Sequence, residues 1–156
     1  MDDVVRAALS AMTDGRCAYC DGYPLRATGR DEIDHFRPKT RIEFYGLVCA
    51  WENLFLICHA CNSAKHDQWD EALLRPDTKY VFERYFFYRF DTGELRPAPD
   101  LDVESNHRVE RTIVILDLNR ADACKARMRT LKEIQRRHSD DELVDMAYRF
   151  LIPLCE

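Results

Sequence analysis

The chain is 156 residues long, 46% of them apolar, and carries a formal charge of −5. That length accommodates one domain, or one domain with a small helical extension, around a modest core. The acidic balance excludes a protein that coats nucleic acid through bulk charge, and the lack of a long apolar run excludes a membrane-spanning helix.

Asp2 to Asp14 reads as a short helix. Asp2 or Asp3 caps it, Val5, Leu9 and Met12 recur at helical spacing, and Gly15 suits the position past its end. Its expected role is to cover the core that follows. Cys17 and Cys20 then form C-A-Y-C, matched by C-H-A-C at Cys58 and Cys61. Two C-x-x-C knuckles are the usual donor set of a structural tetrahedral zinc site, since the two-residue gap lets both sulfurs of a knuckle reach one ion. Disulfides or a redox pair are the competing explanation. With no secretory leader to read, a reducing cytoplasm is the expected compartment, and a single redox motif leaves the second pair unexplained. Cys49, Cys124 and Cys155 remain as ordinary reduced residues.

The stretch between the knuckles, Asp21 to Ile57, is longer than a compact zinc finger needs, so a functional site fits inside it. Asp31 to His35 reads as a strand centred on Ile33, and Pro38 forces the chain out of the sheet. Leu54 to Ile57 is an apolar second strand, and His59 to Trp69 a helix carrying Asn62 and Lys65 at i, i+3. Asp34, His35, Asn53 and Asn62 are the residue types a one-metal phosphodiesterase uses. A hard divalent ion prefers oxygen donors, which Asp34 and Asn62 supply. A neutral imidazole at His35 suits a base that deprotonates water near pH 7. Its other ring nitrogen needs an acceptor, either the Asn53 amide oxygen or a backbone carbonyl. Between His35 and His66 the bases Arg37, Lys39, Arg41 and Lys65 face only Glu43 and Glu52, a basic rim that suits a polyanion. Arg37, Lys39 and Lys65 are the candidate substrate contacts. Trp51 reads as a packing anchor rather than a stacking platform.

The series C-A-Y-C, I-D-H-F-R-P-K, W-E-N-L and C-H-A-C-N-S-A-K resembles the HNH endonucleases. Its wording is similar to the small HNH effectors of Septu-type and retron-linked bacterial anti-phage systems. The resemblance implies a ββα-metal core with a structural zinc, His35 as general base, Asp34 and Asn62 as ligands of a catalytic Mg or Mn ion, and Asn53 orienting His35. It also implies an ATPase partner. Asn62 stands where other members carry His, which favours an oxygen-rich, Mg-type site.

Beyond Arg75 the texture changes. Tyr85 to Arg96 reads as an aromatic hairpin turning at Asp91-Thr92-Gly93. Ser105 is the expected N-cap of a helix to Asp117, and Asn119 the expected cap of a longer helix to about His138. In that second helix Cys124, Met128 and Leu131 form an apolar stripe, while Lys125, Arg129, Lys132 and Arg136 form a basic one. Seven bases from Arg120 to Arg137, Arg127 among them, read as a solvated face. Ser139 to Glu142 is a capping box opening a last amphipathic helix with Leu143, Met146, Ala147 and Phe150, a face suited to docking a partner.

The expected fold is α+β, an HNH-type ββα-metal core over 1–75 and a hairpin-plus-helical extension over 76–156. The expected function is cytoplasmic, metal-dependent endonuclease action on DNA or RNA. The alternatives are a standalone restriction-type or RNA-directed nuclease, and a non-catalytic zinc-binding adaptor on the same scaffold.

Overall fold

The computed structural model describes residues 2–25, 30–76, 82–136 and 146–154. Helix α1 (Asp2–Met12) is followed by strand β1 (Asp31–His35), two short 3-10 segments (Ile42–Leu47, Trp51–Asn53), strand β2 (Leu54–Cys58) and helix α2 (His59–Lys65). The extension adds a single-turn helix α3 (Phe82–Tyr85), strands β3 (Phe86–Tyr88) and β4 (Leu95–Pro97), then helices α4 (Val103–Ile115) and α5 (Ala121–Ile134). A 3-10 segment, Arg149–Leu154, closes the described chain.

β1 and β2 pair antiparallel with Asp31 opposite Cys58 and His35 opposite Leu54. Side chains alternate across a strand, so this register puts Glu32 and Asp34 on one face and Ile33 and His35 on the other. β2 is apolar almost throughout because it is covered on both sides: Phe55, Leu56 and Ile57 are buried, and α1 packs against it through Leu9. The first cysteine knuckle is tied to the same strand, with the Ala18 amide donating to the Leu56 carbonyl at 3.1 Å. Cysteine knuckles, sheet and α2 thus form an α+β, ββα-type unit.

Several element boundaries differ from expectation for identifiable reasons. Helix α2 ends at Lys65 rather than Trp69, because His66 turns to φ +47° and its amide closes onto the Asn62 carbonyl at 2.8 Å. Asp102, not Ser105, caps α4: its carboxylate accepts from the Ser105 amide at 2.8 Å and the Ser105 hydroxyl at 2.9 Å. Asn119 does not cap α5. Its amide bonds both backbone groups of Leu95, the carbonyl oxygen accepting at 2.8 Å and the nitrogen donating at 2.9 Å, and so adds a rung to the edge of β4.

Arg127 does not join the solvated basic face of α5. Its guanidinium is buried, donating to the carbonyls of Gly93 at 2.8 Å and Leu118 at 2.9 Å. Lys125, Arg129, Lys132 and Arg136 are exposed. The capping box at Ser139–Glu142, Leu143 and Cys155 lie outside the described residues. Phe150, expected on a docking face, is instead buried, stacked on Phe82 with ring centroids 4.0 Å apart. Among the described residues no helix is long and apolar enough to cross a membrane.

Candidate active site

Cys17, Cys20, Cys58 and Cys61 converge, all buried, with their sulfurs within 4.8 Å of one another; Cys20 and Cys58 are 3.9 Å apart. A zinc ion bonded to four sulfurs at about 2.3 Å sets them roughly 3.8 Å apart, so the donor set fits one such ion. Crowding divides the thiols. Bonds from Cys17, Cys20 and Cys61 hold Cys58 far below the usual thiol range. Burial, then the sulfurs of Cys20 and Cys58, push Cys17 well above it, and neighbouring sulfurs followed by burial do the same to Cys61. A doubly charged cation removes this conflict by favouring the thiolate at all four.

On the face of β1 that meets α2, two side-chain clusters form. Asp34 is 4% exposed, and both of its oxygens are engaged. Oδ1 accepts from Lys65 Nζ at 2.9 Å and Oδ2 from the Tyr19 hydroxyl at 2.9 Å. Lys65 also donates to the His35 carbonyl at 2.8 Å. Burial, reinforced by the Asp34 charge, holds the Tyr19 phenol well above its usual range, which keeps it a donor. Lys65, a candidate substrate contact by sequence, is wholly buried, so it fixes Asp34 and the end of β1 and does not face a polyanion. The second cluster lies one pair back along the strand. The Glu32 carboxylate accepts from His59 Nδ1 at 2.8 Å and from the Asn62 amide nitrogen.

On the opposite face, His35 Nε2 lies 3.0 Å from the Val48 carbonyl. A carbonyl only accepts, so Nε2 carries a proton, and in the neutral ring Nδ1 keeps its lone pair. Of the two acceptors open to His35, the structure thus supplies the backbone carbonyl. Asn53 acts one step away: its oxygen accepts from the Arg37 amide at 2.8 Å, and its nitrogen donates to the Arg37 and Leu47 carbonyls, each at 3.1 Å. It clamps the loop that delivers Val48.

Arg37 and Lys39 are exposed on that loop. Arg37 also lies over the Trp69 ring at 5.8 Å, and Trp69 packs edge-on against Phe44 at 4.7 Å. Trp69 is therefore the packing residue expected of Trp51, which is 45% exposed. Sequence reasoning missed Tyr19, Glu32 and His59. The period-two alternation of E-I-D placed Glu32 beside Asp34, a signal available from the strand alone. Nothing in the sequence pointed to Tyr19.

The family model described as HNH endonuclease matches residues 17–68, the segment that holds both cysteine knuckles and the clusters around Asp34, Glu32 and His35. HNH endonucleases are nucleases that hydrolyse phosphodiester bonds. The chain is similar to the Septu protein PtuB of Bacillus mycoides (strain KBAB4), 35% identical over 72 residues covering 39% of this chain and 24% of that protein. It is similar also to the Septu protein PtuB of Bacillus thuringiensis, 28% identical over 113 residues covering 70% of this chain and 43% of that protein. The chain thus spans less than half the length of these relatives.

Proposed function

Because residues 17–68 form an HNH endonuclease domain, we propose that this chain cleaves phosphodiester bonds in nucleic acid, DNA foremost, as the nuclease of a bacterial anti-phage system. His35 is the general base. The observation that carries this reading is the Val48 carbonyl on Nε2, which fixes the tautomer and leaves Nδ1 to take a proton from water. Asn53 positions His35 through the loop backbone, and Arg37 and Lys39 meet the phosphate chain.

The four cysteines would hold a structural zinc. Asp34 and Asn62 would hold a Mg or Mn ion, which would supply charge stabilisation at the scissile phosphate. The donors suit a hard cation: the Asn62 oxygen makes no hydrogen bond among the described residues, and each Asp34 oxygen retains a lone pair beyond its one protein partner. Lys65 offsets the buried charge of Asp34.

The similarity to the Septu proteins PtuB supports a Septu-like defence role; the ATPase partner and the cytoplasm follow from the resemblance to Septu-type effectors. The net charge of −5 agrees with a nuclease delivered by a partner, since its own affinity for a polyanion is weak.

The test is cleavage of duplex DNA, single-stranded DNA and structured RNA by zinc-loaded protein in Mg or Mn, alone and with any ATPase encoded beside it. His35→Ala is expected to lower the rate at least about 100-fold while the melting temperature and zinc content hold. Undiminished metal-dependent cutting by His35→Ala overturns the assignment. Full activity without any ATPase favours a standalone nuclease, and no cleavage in any combination favours the adaptor.

A further inference from the structure

We propose that Glu32 is a positioning residue for the catalytic cation, fixing the Asn62 amide so that its oxygen is presented as a ligand. This rests on the reading above that Asn62 binds a divalent ion, and it adds residues with no role in that reading. β1 and α2 bring the parts together: Glu32 lies on the α2-facing side of the strand, while His59 and Asn62 lie one helical turn apart on α2.

The chemistry of the donors decides the orientation. A carboxylate has no proton to give, so the group Asn62 turns toward Glu32 has to be its NH₂. The amide oxygen is then turned the other way, and it has no hydrogen-bond partner among the described residues. Glu32 is itself held. His59 Nδ1 lies 2.8 Å from its other oxygen and must carry the proton of that bond. In neutral His59 this leaves Nε2 to accept from the Ser63 hydroxyl, 3.3 Å away. The relay runs from Ser63 to His59 to Glu32, and Glu32 holds the amide nitrogen. A negative charge at the NH₂ end also polarises the amide toward its oxygen, which strengthens that oxygen as a donor to a hard cation. Asp34 has no comparable freedom, since Tyr19 and Lys65 hold both of its oxygens.

The experiment uses the full zinc-loaded chain carrying His35→Ala, so that Mn²⁺ binding is read by paramagnetic resonance without turnover. Glu32→Ala is expected to weaken Mn²⁺ binding about 10- to 100-fold, with zinc content and melting temperature unchanged. Glu32→Gln, which keeps an acceptor for the amide nitrogen, is expected to lose less. In an Asn62→Asp background either oxygen ligates and orientation no longer matters, so Glu32→Ala there should cost nothing and relieve like-charge repulsion. Wild-type Mn²⁺ affinity in Glu32→Ala overturns the proposal. An equal loss in the Asn62→Asp background also overturns it, because that is the mark of a general structural role. If the parent His35→Ala protein binds no Mn²⁺ at all, the cation site itself fails, and this inference with it.

Discussion

Lys65 shows how far a residue's role depends on where its head group ends up. A lysine three positions after Asn62 reads as a phosphate contact, yet its ammonium is buried between the Asp34 carboxylate and the His35 carbonyl. A buried charge without a partner costs several kcal/mol, so this pair is hard to break from one side. Lys65→Met is expected to destabilise the fold by about 3–5 kcal/mol, because it leaves the Asp34 carboxylate with only the Tyr19 hydroxyl. Denaturant unfolding measures it, and a loss below about 1 kcal/mol would mean that Asp34 is not held as an ion. Adding Asp34→Asn to Lys65→Met should recover part of the loss, since no charge is then buried alone. His35 depends on its surroundings in the same way, since the Val48 carbonyl selects which ring nitrogen carries the hydrogen.

At the scale of elements, the strands were legible because their signals are local. β1 starts and stops where the β-favouring Ile33 and the approach of Pro38 place it, and β2 is an apolar run ended by a knuckle. The helix caps were not legible, because Asp102 and Ser105 are both good capping residues and only backbone geometry selects between them. The hairpin turn is a case where sequence and structure agree for a reason that extends beyond the turn. Gly93 has φ +74°, and an added Cβ would lie 2.5 Å from the Cys124 carbonyl oxygen on α5. Gly93→Ala is therefore expected to cost about 2 kcal/mol or more from backbone strain alone, with the clash against α5 in addition. A melting temperature equal to that of the parent would mean that α5 can shift away. The two knuckles reach the site from elements far apart in sequence, so a zinc ion bound there would join the segment after α1 to the end of β2. Stripping it with a strong chelator should collapse thermal stability and expose the buried cysteines to a thiol reagent. A chelated protein with unchanged melting would refute a structural metal.

At the scale of the molecule, the extension does not hang free of the ββα-type unit. The Tyr148 amide donates to the Asp21 carbonyl at 3.0 Å, next to Cys20 in the chain. The Arg16 guanidinium reaches the Met146 carbonyl at 2.8 Å. The Leu74 amide donates to the buried Thr112 hydroxyl at 2.9 Å, and Arg111 pairs with Asp70 at 2.9 Å. Arg120 lies near the sulfurs; burial opposes its charge, but the charges of Cys61, Cys20 and Cys58 raise its basicity on balance. One core cluster contains Phe55 and Leu73 together with Phe86, Leu116 and Phe150. We therefore propose that the units 1–75 and 76–156 are interdependent in folding. A 1–75 fragment loaded with zinc is expected to be insoluble or to lack a cooperative transition; a fragment with the full-length melting temperature would overturn that.

The sequence by itself determined the donor sets: which four sulfurs gather, which strand carries an imidazole next to a carboxylate, and which helix face carries an amide. These are facts of residue type and short spacing, which local chain geometry converts directly into position. Only the tertiary structure decided which of these groups face each other. It buried Lys65 and Arg127, gave His35 a carbonyl, turned the Asn62 amide toward Glu32 and folded Phe150 and Leu151 into the core. Those outcomes depend on contacts between segments far apart in the chain, where satisfying buried charges and amides outweighs any local preference.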